Sequence, residues 1–296
     1  MVDTASHLTP ERVLRRLDWQ VVRRIEGRLQ GDYHTLLRGQ GTDFRDLRHY
    51  EWGDDVRHID WNVTARMDEL FVREFMEERE LTAWLLLDRS RSMRFGVAGR
   101  TKERVLCEFA VTLSQLLVRG GNRVGAVVYD GADQWTIPPR QGRNQVLRLA
   151  GELLRPVPGG TGTDLNRLLD TAARLVRRRS LVVLISDFIS EPGWERPLLR
   201  LARRHEVVAI RLVDRREYEL PDAGLLFVQD AETGEQLLVD SSDPGLRRRL
   251  LAAAQDQDDA IVGAAARARV NLDRVSTEDD LVTAFVRVAA GRARRR

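Results

Sequence analysis

The sequence predicts an α/β fold in which a mostly parallel β-sheet is covered by helices on both faces. From residue 81 onwards, short apolar segments alternate with amphipathic helical patterns, as is typical of parallel strands joined by crossover helices. Two apolar segments, 81–87 and 180–186, each run directly into an aspartate, Asp88 or Asp187. Ligands bind at the carboxyl ends of strands in open α/β sheets. We therefore expect a ligand-binding site at the ends of these two strands.

An N-terminal segment precedes this α/β domain. A helix is predicted over 10–30, because Pro10 suits the first turn of a helix and apolar residues recur on one face. Residues 70–75 alternate like a β-strand. We therefore expect an N-terminal helix and a β-rich part within 1–80, packed against an α/β domain over 81–296.

The α/β domain is predicted to contain a β-hairpin near 225–239, where Thr233-Gly234 separates two alternating runs. The other elements follow from apolar periodicity and from glycine and proline positions. Predicted helices are 101–119, 142–154, 164–178, 194–204, 244–268 and 278–290, and predicted strands are 124–129, 135–137, 207–213 and 270–272.

The composition is that of a globular protein without a strong charge bias. Of 296 residues 43% are hydrophobic, and 48 Lys and Arg stand against 45 Asp and Glu. A formal charge of +3, dispersed among acidic residues, does not favour nucleic-acid binding. The single cysteine, Cys107, excludes an intramolecular disulfide and suits a reducing compartment. No apolar run approaches the ~20 residues of a membrane span, and residues 1–16 lack the apolar core of a secretion signal, so we expect a cytoplasmic protein.

Three segments carry oxygen ligands suited to a divalent cation. The first strand ends in a D-x-S-x-S loop, a glycine-rich loop over 159–164 opens a helical pattern, and the second strand ends in an aspartate. Carboxylates and hydroxyls that converge on one point are the hard donors that Mg²⁺ prefers, with about six oxygens at roughly 2.1 Å. The alternative is that serine and aspartate occur here for local reasons, as turn residues or helix N-caps. The predicted metal-binding residues are Asp88, Ser90, Ser92, Thr163 and Asp187.

In their order, these segments resemble the metal-ion-dependent adhesion site of von Willebrand factor A domains. The resemblance implies that Ser90, Ser92 and Thr163 offer hydroxyl oxygens to Mg²⁺ or Mn²⁺. It also implies that Asp88 and Asp187 hold coordinating waters and supply negative charge. The fold class is then von Willebrand A-like.

Two details of this site are open in the sequence. Thr161 competes with Thr163 for the third hydroxyl role, and Thr163 is preferred because it directly precedes the helical pattern. Arg89 and Arg91 interleave with the ligands, and two nearby cations would weaken metal binding. Alternation predicts that these arginines point away from the ion.

A longer motif precedes the α/β domain. Residues 48–61 read R-x-Y-x-x-G-D-D-x-R-x-I-D-W, and V-R-E-F follows at 72–75. With this motif, the stretch from about 39 to 240 resembles the DUF58 family of bacterial proteins, whose C-terminal half is von Willebrand A-like. Members often carry two N-terminal transmembrane helices, and their absence from this sequence favours the soluble branch.

We call residues 48–61 the hallmark segment. Its mixed charges predict an ion-pair network that holds the N-terminal segment against the α/β domain, with Trp52 and Trp61 adding apolar contact area. A docking surface for a partner is the less favoured alternative. His49 and His58 lie nine residues apart, and this spacing matches no usual arrangement of two metal ligands on a helix or a β-ribbon. Structural roles are therefore expected for both histidines. The charged residues concerned are Arg48, Asp54, Asp55, Arg57 and Asp60.

The sequence favours a non-enzymatic interaction module. In von Willebrand A domains a partner's carboxylate fills the open position on the metal. The resemblance to DUF58 implies an AAA+ ATPase of the MoxR type, or its client, as partner, with a chaperone-like role in assembling or activating protein complexes. The alternative is a Mg²⁺-dependent hydrolase. Against it, the sequence has no P-loop, H-E-x-x-H or G-x-S-x-G motif and no general base tied to the site.

Overall fold

The computed structural model describes residues 9–17, 21–28, 44–52, 54–67, 69–75, 81–97, 99–157, 162–219, 221–229 and 236–293. The helix predicted over 10–30 is present as two helices, with 18–20 and 29–30 outside the described residues. The strand predicted at 70–75 is confirmed, and it pairs with an antiparallel strand that was not predicted, because F-R-D-L-R-H lacks apolar alternation. The elements before residue 81 are α1 (Pro10–Leu17), α2 (Arg23–Arg28), β1 (Phe44–His49), α3 (Trp61–Met67) and β2 (Phe71–Phe75).

The α/β domain follows the predicted order, with two additional short strands, Gly96–Val97 and Arg100–Thr101, that were not predicted. The first and last residues of the helices and strands differ from the predicted ones by a few positions. The difference is largest at the last strand. No helix in the described part of the chain is long and apolar enough to cross a membrane. The elements are β3 (Thr82–Asp88), β4 (Gly96–Val97), β5 (Arg100–Thr101), α4 (Lys102–Arg119), β6 (Arg123–Tyr129), β7 (Gln134–Arg140), α5 (Arg143–Leu154), α6 (Leu165–Leu175), β8 (Leu181–Ser186), α7 (Glu195–Arg204), β9 (Glu206–Val213), β10 (Leu225–Gln229), β11 (Gln236–Asp240), α8 (Pro244–Arg267), β12 (Leu272–Ser276) and α9 (Leu281–Ala293).

The central sheet has six strands in the order β12-β9-β8-β3-β6-β7. All neighbours are parallel except β7, which runs antiparallel to β6. After β3 the chain builds the sheet towards β6 and β7, and it then crosses back to add β8, β9 and β12 on the other side. The strand order therefore reverses between β3 and β8, and in sheets of this kind the ligand crevice opens at that point.

The core consists of two layers, one on each face of the sheet. Side chains of β3 alternate between them. Leu85 and Leu87 pack with α1, α4, α5 and α9, whereas Trp84 and Leu86 pack with α6, α7 and α8. The predicted mostly parallel sheet with helices on both faces is thus confirmed. Helix α1 lies on the first face through Leu14, so the N-terminal helix shares the core of the α/β domain, while the boundary at residue 80 stays a prediction.

The hallmark segment is held by short-range pairs. Arg48 donates to both carboxylate oxygens of Asp54 at 2.7 Å, and Arg57 pairs with Asp55 at 2.6 Å. The carboxylate of Asp60 accepts the backbone N–H groups of the first turn of α3. These contacts join hallmark residues to their own neighbours, and the predicted contact of the segment with the α/β domain stays a prediction.

The expectation that the hallmark tryptophans supply apolar contact area is wrong. Trp52 is 100% exposed and Trp61 is 65% exposed. Trp52 lies in a turn and Trp61 is the first residue of a seven-residue helix, and a two-stranded sheet offers too little surface to cover either ring. The buried apolar contact is made instead by Ile59 and Val72, which form a β-bridge.

Candidate metal centre

Two of the predicted ligands lie at the switch point of the sheet. Asp88 is the last residue of β3, and Asp187 follows β8, the parallel neighbour of β3. Both carboxylates are almost fully buried. Asp88 accepts the backbone N–H of Ser90 at 2.9 Å and the hydroxyl of Ser186 at 2.6 Å. Ser186 was not predicted as a site residue, although a polar residue at the end of an apolar strand was an available signal.

The two serines of the D-x-S-x-S loop form a pair of buried hydroxyls. Ser90 Oγ and Ser92 Oγ lie 3.2 Å apart, with Ser92 in a short 3-10 helix over Arg91–Arg94. An octahedral Mg²⁺ with bonds of about 2.1 Å places adjacent ligand oxygens about 3 Å apart. The hydroxyl spacing therefore suits two neighbouring ligands of one ion.

Thr163 is buried and tied to the loop after β8. Its carbonyl accepts the Ser190 hydroxyl and the Glu191 backbone N–H, each at 3.0 Å. The N-cap of α6 is Asp164, whose carboxylate accepts the Asn166 backbone N–H at 2.9 Å. The local capping role thus belongs to Asp164, and the competing Thr161 lies outside the described residues.

Arg89 does not oppose a cation at this site. Its guanidinium turns away from the loop and donates to Glu103 at 2.6 and 2.9 Å. It also donates to the carbonyls of Glu152 and Arg155 at the end of α5. The charge of Arg89 is therefore used to fasten the loop to two helices.

The cation that does approach the site is Lys102, which was not predicted as a site residue. Its Nζ donates to Asp187 Oδ2 at 2.7 Å and also to Glu217, and its side chain is fully buried. Burial alone would lower the pKa of Lys102, but Asp187 and Glu217 outweigh burial and raise the pKa, so the ammonium stays charged. A signal was present, because Lys102 is the only lysine among 48 Lys and Arg residues.

The site retains excess negative charge despite Lys102. Burial, and then repulsion from Asp187, raises the pKa of Asp88 to about 6. Ionising Asp88 is therefore unfavourable in the metal-free fold, and a cation would relieve that cost. Across the described ranges no group of three or more His, Cys, Asp or Glu side chains forms a metal site, so an ion here depends on the hydroxyls. With two such hydroxyls adjacent, the donor set fits a small hard cation.

The sheet order and the position of this cluster define the class of protein, an α/β domain with a mostly parallel sheet, helices on both faces and a polar site at its switch point. Comparison with known families is consistent with the hallmark motif. The chain belongs to the family described as "Protein of unknown function DUF58", whose model matches residues 46–260. The membership predicted from the hallmark motif is confirmed.

Relatives and solved structures add detail. The chain is 37% identical over 284 residues to an uncharacterized protein of Mycobacterium tuberculosis, covering 95% of this chain and 89% of that one. A protein of Mycobacterium bovis matches equally. Among solved structures, BatB from Bacteroides thetaiotaomicron is similar with a TM-score of 0.46 and 15% identity, over 72% of this chain and 99% of that one. The VWA domain of SpRpn10 is similar with a TM-score of 0.39 and 13% identity, over 70% and 94%.

Proposed function

We propose that this protein is a cytoplasmic, non-enzymatic interaction module whose partner binding depends on Mg²⁺ or Mn²⁺. The observation that supports it is the buried hydroxyl and carboxylate cluster at the switch point. Ser90, Ser92 and Thr163 would offer hydroxyl oxygens, and Asp88 and Asp187 would hold waters and balance the charge. A bound cation supplies an electrophilic position that a carboxylate from a partner can fill.

The first test is metal binding itself. Because the cation relieves carboxylate repulsion in the folded state only, a Mg²⁺ concentration of 100 times Kd should raise stability by about 2.7 kcal/mol. We expect a higher melting temperature with Mg²⁺ than with EDTA, and a heat of binding by calorimetry. The double variant Ser90→Ala/Ser92→Ala should lose both signals. Ser114→Ala removes a buried hydroxyl within α4 and should keep them. Identical melting curves and no heat for the wild type would exclude the metal site.

The proposed partner is an AAA+ ATPase of the MoxR type, or a client of such an ATPase, bound through an Asp or Glu at the metal. Support comes from family membership and from the chemistry of the site. Within this proposal the pair acts chaperone-like in assembling or activating other protein complexes. Desolvation at the interface would strengthen the bond between cation and carboxylate.

Capture from native lysate tests this partnership. Wild type in Mg²⁺ should retain an AAA+ protein or its client, and both EDTA and the Ser90→Ala/Ser92→Ala variant should reduce recovery about tenfold or more. Ser114→Ala again serves as the matched control. If the double serine variant captures the same proteins as wild type in EDTA, the metal face is not the binding surface.

The alternative function for the same site is a Mg²⁺-dependent hydrolase, and the hydrogen bonds of its two carboxylates do not favour that activity. Both oxygens of Asp187 are occupied, by the Ile189 backbone N–H and by Lys102. Both oxygens of Asp88 also accept hydrogen bonds, from the Ser90 backbone N–H and the Ser186 hydroxyl. Neither carboxylate is therefore placed as a general base. We expect no ATPase or phosphatase activity from purified protein in Mg²⁺. Turnover that survives rigorous purification and disappears in Asp187→Ala would reverse this conclusion.

A further inference from the structure

The hairpin β10–β11 presents apolar side chains to solvent. It forms a two-stranded sheet of its own, separate from the central sheet. Phe227 and Leu238 lie directly opposite each other on the two strands, and Leu225 lies on the same face. Phe227 is 76% exposed, Leu238 is 52% exposed and Leu225 is 70% exposed. The opposite face carries the pair Val228 and Leu237, also exposed. Asp240, opposite Leu225, is the only charged residue within the two strands. An isolated two-stranded sheet is marginally stable in water, and one with exposed apolar faces invites association.

The hairpin is fastened to the start of α8. Ser241 follows β11, donates to the Gly224 carbonyl at 2.7 Å and accepts the Ala223 backbone N–H at 3.0 Å. Arg247, in the first turn of α8, pairs with Asp222 at 3.1 Å. These contacts place the base of the hairpin beside the first turn of α8.

The outer face of α8 has a charge pattern that is complementary to itself. Buried residues in this helix are confined to its last third. Arg248, Ala252, Gln255 and Asp259 recur at helical spacing along one exposed stripe, with Leu251 and Val262 beside it. Asp258 is engaged by Arg211 and Arg274, whereas Asp259 faces solvent.

This stripe fits a second copy of itself in antiparallel orientation. About a two-fold axis between Ala253 and Ala254, Arg248 of each copy would face Asp259 of the other, and Ala252 would face Gln255. Arg248 and Asp259 cannot pair within one chain, because eleven residues of helix separate them by about 16 Å. A two-fold interface requires a self-complementary patch, and this stripe is one.

We propose that the hairpin β10–β11 and the outer face of α8 form the interface of a two-fold symmetric homodimer. The helices pair antiparallel through two Arg248–Asp259 contacts. The hairpins bury their apolar faces in the same interface. The dimer does not depend on the metal site, so it persists in EDTA.

Sedimentation equilibrium of the full chain, over a wide concentration range and in EDTA, tests the proposal. Arg248→Glu places two pairs of like charges in the interface, and so does Asp259→Arg. Each should raise the dimer dissociation constant about tenfold or more. The double swap Arg248→Glu/Asp259→Arg restores opposite charges and should return the constant to within about threefold of wild type. Arg203→Glu, at an exposed position of α7, is the charge-matched control and should have no effect.

Phe227→Asp should weaken the dimer without being rescued by the charge swap. All these positions are exposed, so each variant should keep the wild-type circular dichroism spectrum. Its melting temperature should match that of wild type at concentrations where wild type is monomeric. A wild-type monomer throughout the concentration range would overturn the proposal and assign the surface to a different partner. A dimer that tolerates both single reversals, or one that the double swap does not restore, would overturn it as well.

Discussion

Replacing Lys102 by methionine is expected to lower the free energy of unfolding by about 3–5 kcal/mol without divalent cations, as for other broken buried ion pairs. Methionine has a similar length but no charge, so Asp187 would stay buried without its ammonium partner. Glu217 would lose the same partner but is partly exposed, so most of the cost arises at Asp187. Every other residue among the 48 Lys and Arg of this chain is arginine. A compact ammonium with three donors suits a narrow buried site better than a planar guanidinium.

Chemical denaturation of wild type and Lys102→Met, each in EDTA and in Mg²⁺, measures this effect. Mg²⁺ should recover part of the loss and should stabilise the variant more than wild type, because Asp187 no longer shares its charge with the ammonium. Arg104→Met, two residues along α4, removes a surface pair with Glu108 and should cost about 0–1 kcal/mol. A Lys102→Met protein as stable as wild type in EDTA would show that Lys102 is not the counter-charge of Asp187.

Replacing Asp88 by asparagine is expected to stabilise the metal-free protein at neutral and higher pH. The pKa of Asp88 rises from an ordinary 3.8 to about 6 on folding, chiefly through burial and then through Asp187. The folded state therefore binds the proton more tightly than the unfolded state. Ionised Asp88 costs the fold about 3 kcal/mol above pH 6, and this cost disappears as the pH falls towards 4.

The free energy of unfolding of both proteins, measured in EDTA at several pH values between 4 and 8, tests this pH dependence. Asp88→Asn should be up to about 3 kcal/mol more stable than wild type at pH 8 and similar at pH 4, where the wild-type carboxyl is neutral. Asn can still accept from the Ser90 backbone N–H. Asp133→Asn, at an exposed site, should change little. Asp88→Asn should also lose the response to Mg²⁺. Equal stability of Asp88→Asn and wild type across this pH range would mean that ionised Asp88 does not destabilise the folded protein.

The sequence by itself determined the main helices and strands of the α/β domain and the two strand ends that carry Asp88 and Asp187. It could do so because apolar periodicity and turn residues are local, and the D-x-S-x-S spacing lies within five residues. The family followed from the hallmark motif for the same reason.

Only the tertiary structure decided what surrounds those carboxylates. Ser186 meets Asp88 across 98 residues, and Lys102 meets Asp187 across 85. Both contacts depend on β8 lying beside β3 and on α4 entering the site by its first residue, and no local pattern encodes either. The tryptophans of the hallmark segment failed as a prediction for a related reason. Apolar character predicts burial only where a neighbouring element covers the side chain, and the small β1–β2 sheet leaves Trp52 and Trp61 in water.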